Sequence, residues 1–369
     1  MISFILSRCS NAWNDFFTGT PIKYENQTYT SKQTLSGDSV YVLNCLFNGC
    51  FSTSGDGGAL YYYNSAKKLL VESSSFFSCN TNSNGGAIYF SNTGSGECVL
   101  HKVCGYNCCS TLTSGYSHGQ FSLIQVNDSA SSKNYVNYSS ISRCVNENSK
   151  SQFTLYHDFG KICCPSVNIS MNKCYSQSGI YCYPKIDSSS VTCSFSYSSF
   201  VDNNATGNNC ILFNMHANYE FKCCNILRNT QDSGSLGTIV SNRNLKIEDS
   251  CILENNATYI FYQRDPSYTI TLSNCTVDKT TYNQNLTIQN TVTKDFILAL
   301  THMSTRNCHS EYDSVGTLTP YSNKQKHCYT GNNFRQLRLS DIVSLMCVLI
   351  FNFIHPDASS YSLYESDYL

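Results

Sequence analysis

Two stretches, FNGCFSTSGDGGALY at residues 47–61 and FFSCNTNSNGGAIY at 76–89, write one phrase twice, 29 residues apart. A Phe is followed three residues later by a Cys, then a polar loop, Gly-Gly-Ala and an apolar-aromatic run. The last position of the phrase recurs at Cys50, Cys79, Cys108, Cys144, Cys174, Asn203, Asn229 and Asn255, in steps of 29, 29, 36, 30, 29, 26 and 26 residues. Three residues before each stand Phe47, Phe76, Gly105, Ile141, Met171, Phe200, Ile226 and Ile252, apolar in every copy except Gly105. A ninth, weaker copy ends near Lys279. Periods of this length denote a solenoid or array, because one such unit cannot bury its apolar face alone.

The type of solenoid follows by elimination. No unit carries an apolar stripe at 3.6-residue spacing, which excludes helical repeats. A leucine ladder is missing too. The units contain short alternating runs such as Leu245–Ile247 and YTITL at 268–272, separated by Asn, Ser and Gly. Ser, Asn, Thr, Tyr, Phe and Cys dominate, and there are only 6 prolines in 369 residues. These features predict an all-β chain: a single right-handed parallel β-helix of roughly eight to nine coils, with about three short strands per coil. Residues 1–35 read as an N-terminal cap or lead-in and 36–300 as the coils. Residues 301–335 read as a small Cys/His-bearing segment, and 336–369 as a short apolar segment and tail.

Stacking of coils gives the phrase its meaning. The Phe, Ile or Met should point inward and form an apolar ladder along the axis. The closing Cys or Asn should sit at the corner, where an Asn amide can bond backbone groups and its own kind above and below. Cys replaces it as a small residue that buries well. Adjacent rungs hold their Cβ atoms too far apart for an unstrained bridge, so Cys50, Cys79 and Cys108 are expected as free thiols. Gly57, Gly58, Gly85 and Gly86 should supply a turn of positive φ.

GGAL at 57–60, GGAI at 85–88 and Phe-x-x-Asn at 200–203 resemble the repeat pair of the polymorphic outer membrane proteins, and more closely the related β-helix surface proteins of trichomonad-type parasites. Both halves of the repeat occur only within residues 44–90, whereas the first half continues to about residue 279. The stretch NCHSEYDSVGTLTPYSNKQKHCYTG at 307–331 also resembles a segment that follows such repeats. The resemblance implies a surface or secreted, adhesin-like protein that acts without catalysis.

Two other classes compete with that reading. β-Helices include polysaccharide lyases and hydrolases, which need converging carboxylates or a carboxylate-bound cation. No Asp-Asp or Asp-x-Asp occurs, and Asp56, Asp202 and Asp232 read as turn residues at comparable points of coils far apart. His118 reads as a loop residue. The third class is a truncated family copy without a partner. Cys308-His309 and His327-Cys328 are zinc-type ligands in a spacing that suits a Cys308–Cys328 disulfide better. No catalytic residue, metal site or cofactor is therefore assigned. Of Tyr61, Tyr62 and Tyr63, strand alternation sends Tyr62 opposite to its neighbours, so at most one face is free to bind a sugar.

Charge and termini bear on partners. Charged residues make up 13% of the chain and the net charge is −1, so nucleic acid is not an expected partner. The 22 cysteines, with eight acceptor triplets at Asn26, Asn127, Asn137, Asn168, Asn204, Asn256, Asn274 and Asn285, point to an exported glycoprotein. The start, MISFILSRCSNAW, has no full leader pattern. Ile342 to Ile354 is apolar over 13 residues, short of the roughly 18–20 a bilayer span needs, and reads equally as a buried element or a weak membrane anchor. The expected setting is extracellular or cell-surface. A monomer is expected, bound to a surface protein or glycan.

Overall fold

In the computed structural model, the described residues are 12–293 except 114, 146–150, 188, 216 and 232–235, together with the backbone of strands Cys308–Tyr312 and Leu318–Ser322. They form a parallel β-solenoid. Each coil visits three long sheets in turn, here called faces 1, 2 and 3. Face 1 holds eleven strands, from Ile22–Glu25 to Leu286–Ile288, and face 2 holds ten, from Thr28–Tyr29 to Thr276–Val277. Face 3 holds nine, from Gln33–Thr34 to Phe261–Gln263, so nine coils close completely. Residues 22–35 already make the first coil, within the stretch read as a lead-in. The single helix among the described residues, Trp13–Phe16, is four residues long. None of these residues forms a helix long and apolar enough to cross a membrane.

The inward ladder of face 2 runs Tyr29, Phe47, Phe76, Gly105, Ile141, Ile169, Phe200, Ile226, Ile252 and Val277, each in register with the next. Phe47 and Phe76 lie parallel with ring centroids 4.7 Å apart, and Tyr29 stacks on Phe47 at 5.0 Å. Such pairs contribute about 0.5–1.5 kcal/mol each beyond the area they bury. Gly105 breaks the apolar series for a steric reason. A Cβ there would run into the ring of Phe121, which enters from face 3 and meets Phe76 edge-on at 5.8 Å.

The fifth copy requires a correction. Ile169, not Met171, pairs with Ile141 and Phe200, and the corner residue is Asn172, not Cys174. Met171 is half-exposed at φ +55°, and Cys174 lies buried two residues on, in a short strand that pairs with Asn204–Ala205. A two-residue slip preserves strand alternation, which is why the sequence allowed it.

The corner after face 2 is built alike in the second to ninth coils. The residue before it has positive φ: Gly49, Ser78, Asn107, Arg143, Met171, Asp202, Arg228 and Glu254 lie between 51° and 64°. At the corner itself, Asn172, Asn203 and Asn229 donate through Nδ2 to the Oδ1 of Asn203, Asn229 and Asn255 at 3.1, 2.9 and 3.0 Å. The same amides, with that of Asn255, donate to the carbonyls of the ladder residues Ile141, Ile169, Phe200 and Ile226 one rung back. In the first coils the thiols of Cys50, Cys79 and Cys108 make the equivalent bond, to the carbonyls of Tyr29, Phe47 and Phe76. Cys in the earlier coils and Asn in the later ones fill the same corner because each is a small donor aimed at the same carbonyl position one rung back. All three thiols are free and buried, as is Cys144. A hydrogen bond with Cys79 together with burial raises the Cys50 pKa, and burial pushes Cys79 and Cys108 up.

Of the paired glycines only the first of each has positive φ, 72° at Gly57 and 65° at Gly85. Gly58 and Gly86 are needed for another reason: a Cβ would strike the carbonyls of Gly86 and Gln120 in the next coil.

Candidate functional site

The solenoid presents three long flanks, and the chain treats them differently. On face 1 the outward row starts at Lys23, is apolar through Tyr41, Leu70, Val99 and Tyr135, and then turns polar at Cys163, Ser194, Glu220 and Lys246. The N-terminal segment lies over the apolar part, where Ala12, Trp13 and Phe17 pack on Tyr41, Leu70 and Val99. The indole of Trp13 donates to the Gly19 carbonyl at 2.8 Å, and the Lys133 ammonium sits 5.4 Å from the Phe17 ring centre.

On face 2 the outward residues include a buried small polar set, Ser75, Ser140, Ser142, Asn168, Ser170, Ser199 and Asn225, between two apolar clusters, Leu46, Phe77, Cys104 and Tyr106 on one side and Val201, Leu227, Cys251 and Leu253 on the other. Strand Leu318–Ser322, paired antiparallel with Cys308–Tyr312, lies against the strands Cys104–Tyr106, Ser140–Ser142 and Asn168–Ser170. Cys104 on this flank is disulfide-bonded. Asn168 faces this covered side, and its amide donates to Ser140 Oγ at 2.8 Å and Ser170 Oγ at 3.0 Å. The Asn168 side chain is fully buried in this fold. Asn137 is buried too, Asn127, Asn204 and Asn274 are half-buried, and Asn26, Asn256 and Asn285 are exposed.

Face 3 keeps a part-exposed aromatic flank from Tyr61 to Tyr183. One outward row runs Tyr61, Tyr89, Leu123, Tyr156, Tyr181, and the next runs Tyr63, Ser91, Gln125, Asp158, Tyr183. Tyr62, between Tyr61 and Tyr63, is buried, as alternation requires, while Tyr63 is 45% exposed. Tyr156 and Tyr181 stack 4.8 Å apart at 4°, and His118 covers the other side of Tyr156 at 5.1 Å and 8°. Tyr61 and Tyr89 stack at 5.4 Å with Lys32 over Tyr61 at 4.7 Å. Rings stacked along the rungs spend their faces on each other, so they turn edges and hydroxyls toward solvent. A flat sugar-stacking platform is not what this flank offers.

Beside the rings runs a hydrogen-bonded polar row. Ser91 Oγ donates to Gln125 Oε1 at 3.0 Å, and Gln125 Nε2 donates to Asp158 Oδ2 at 3.0 Å. Burial raises the Asp158 pKa. Asn214 Nδ2 donates to the Tyr181 hydroxyl at 2.8 Å, and Arg264 reaches Asn214 Oδ1 at 3.1 Å. A shallow depression lined by Asp128, Phe159, Tyr183, Lys185 and Met215 borders the row, with Lys185 paired to Asp128 at 2.9 Å.

Asp56 and Asp202, two of the three aspartates weighed against a catalytic role, are not brought together and lie at different points of their coils. Asp56 lies before the face 3 strand and accepts from Ser83 Oγ, Asn84 N and Asn84 Nδ2. Asp202 is in the turn after face 2, held by Arg228 at 2.8 and 3.1 Å. Asp232 lies outside the described residues. His118 hydrogen-bonds Gln152 Oε1 at 2.9 Å, and burial lowers its pKa. The side chains of Cys308, His309, His327 and Cys328, and the segment Ile342 to Ile354, also lie outside the described residues. Among the described residues no three metal-ligating groups come together. Comparison with protein-family models, curated proteins and solved structures found no match.

Sequence reasoning missed the part-exposed stack of Tyr156, Tyr181 and Tyr183. Its signal was present as the alternating runs FTLYHD and GIYCY, which place one tyrosine outward on the first rung and two on the next.

Proposed function

We propose that the chain is a non-enzymatic binding scaffold, secreted or displayed on a cell surface, which engages a surface protein or glycan through face 3. One observation carries this reading. The chain lays its own segments over the first coils of face 1 and the middle coils of face 2, while tyrosines 61, 63, 89, 156, 181 and 183 on face 3 remain part-exposed. Tyrosine suits contact surfaces because it offers a rigid apolar body and a polar tip at low entropic cost. Ring edges, phenol hydroxyls and the amide row together favour an uncharged partner rich in hydrogen-bonding groups. The high cysteine content and the exposed triplets at Asn26, Asn256 and Asn285 support export. The repeat resemblance to polymorphic outer membrane protein-like surface proteins supports display.

The test is binding of purified protein to intact cells and to arrayed glycans. The Tyr156→Ala, Tyr181→Ala double variant should lose binding about ten-fold or more, since truncating one central interface tyrosine commonly costs more than 1 kcal/mol. Incubation with pectin, alginate and glycosaminoglycans should leave chain length unchanged. Release of reducing or unsaturated ends would overturn the proposal in favour of a carbohydrate-active enzyme.

A further inference from the structure

We infer that two copies of the chain join end to end through their first coils, replacing the monomer expected from the sequence. Solenoids need their terminal core covered, because an end rung otherwise shows apolar side chains and an unpaired backbone edge. Here the first strand of face 1, Ile22–Glu25, has a neighbour on one side only among the described residues. Ile22 is in register with Val40, a fully buried core residue, yet is itself 49% exposed. Tyr24 and Tyr29 pack on the same core and are half-exposed.

The strand carries the complement of itself. Tyr24 pairs with Val42 on the core side, whereas Lys23 and Glu25 pair with Tyr41 and Leu43 on the outer side. Lys23 and Glu25 are exposed, and neither has an ion-pair partner among the described residues. A strand added at this edge must oppose inward residues to inward ones, or every side chain changes face. For a second copy related by a two-fold axis, that condition permits the register in which Tyr24 faces Tyr24 of the other copy. Lys23 of each then stands opposite Glu25 of the other, twice over. Residues directly opposed across antiparallel strands have Cβ atoms about 4.5–5.5 Å apart, close enough for both ion pairs. The contact is isologous and closes at two copies.

Sedimentation velocity of the full chain across a concentration series tests this. A reversible dimer is expected. Lys23→Glu and Glu25→Lys, each placing like charges opposite one another, should weaken it by about ten-fold apiece. The double exchange Lys23→Glu, Glu25→Lys should restore it, with the circular dichroism of all variants unchanged because both residues are exposed. A monomer at every concentration, a dimer indifferent to the single reversals, or open-ended growth would each overturn the inference.

Discussion

Asn229 Nδ2 donates both to Asn255 Oδ1, at 3.0 Å, and to the carbonyl of Phe200, at 2.8 Å, so one side chain ties three successive coils. Its own Oδ1 meanwhile accepts from the backbone and amide of Asn203 at 3.1 and 2.9 Å. Asn229→Ala strands several buried groups at once. The expected loss is on the order of 3 kcal/mol, since each unpaired buried group costs about 1–3 kcal/mol. Asn229→Cys should cost less than the alanine variant, because a thiol reaches the same carbonyl position in the first coils. Urea unfolding of the two variants checks the order, and equal losses would refute the interchange of Cys and Asn.

Gly105 and Phe121 share one space, so their substitutions should couple. Gly105→Ala overpacks the rung against the Phe121 ring, with an expected cost of about 1–3 kcal/mol. In a Phe121→Leu background the same change should cost less. A double-mutant cycle in thermal or urea unfolding measures the difference, and simple additivity would show that the ring does not set the glycine.

His157 supplies a pH dependence. Its ring lies in the core, with Nδ1 2.6 Å from Asn134 Oδ1. Asn134 Nδ2 donates to the carbonyls of Asp158 and Phe159, which fixes the amide and hence makes His157 Nδ1 the donor. Burial lowers the His157 pKa from 6.5 to about 3. Between those values the unfolded chain takes up a proton that the folded chain refuses. Stability is therefore full above the upper value and falls as pH drops, by about 1.4 kcal/mol per pH unit from this residue. His157→Gln should flatten the profile by that amount between pH 6 and about pH 4, and an unchanged slope would refute the assignment.

The corner thiols should resist reagents. Alkylation of the native protein should leave Cys50, Cys79, Cys108 and Cys144 unlabelled, and denaturation without reductant should expose all four. A cross-linked peptide joining Cys50 to Cys79 would contradict the free thiols of the ladder.

Glycan occupancy should follow burial rather than the triplets. In its native cell the protein should carry N-glycans among Asn26, Asn256 and Asn285 and none at Asn137 or Asn168. Glycopeptide mass spectrometry decides it.

The phrase starting at Phe47 was legible because its two anchors differ in kind: a large inward ring and a small corner donor at fixed distance. Where both anchors had look-alikes two residues on, as at Ile169 and Asn172, the reading slipped to Met171 and Cys174. A second corner, between faces 1 and 2, went unread. There the backbone amides of Cys45, Val103, Val167 and Cys224 donate to the hydroxyl oxygens of Ser74, Ser139, Ser198 and Ser250 in the next coil. Serine is so frequent in this chain that its period was lost in the background. The covering of Leu70 and Val99 by Trp13 depends on contacts between segments distant in sequence, which no local spacing records.

The segment over face 1 has a consequence for how such a protein can change in length. Trp13 and its neighbours reach the coils of Tyr41, Leu70 and Val99, and the hairpin strand reaches those of Cys104, Ser140 and Asn168. A coil inserted or removed there would pull a clasp off its footing. Farther along, Asn203, Asn229 and Asn255 follow one another at a uniform step of 26 residues, each making the same bonds to the next. Duplication or loss of one whole step in that region would rejoin identical edges. The molecule is thus a ruler with a fixed end and an extensible one.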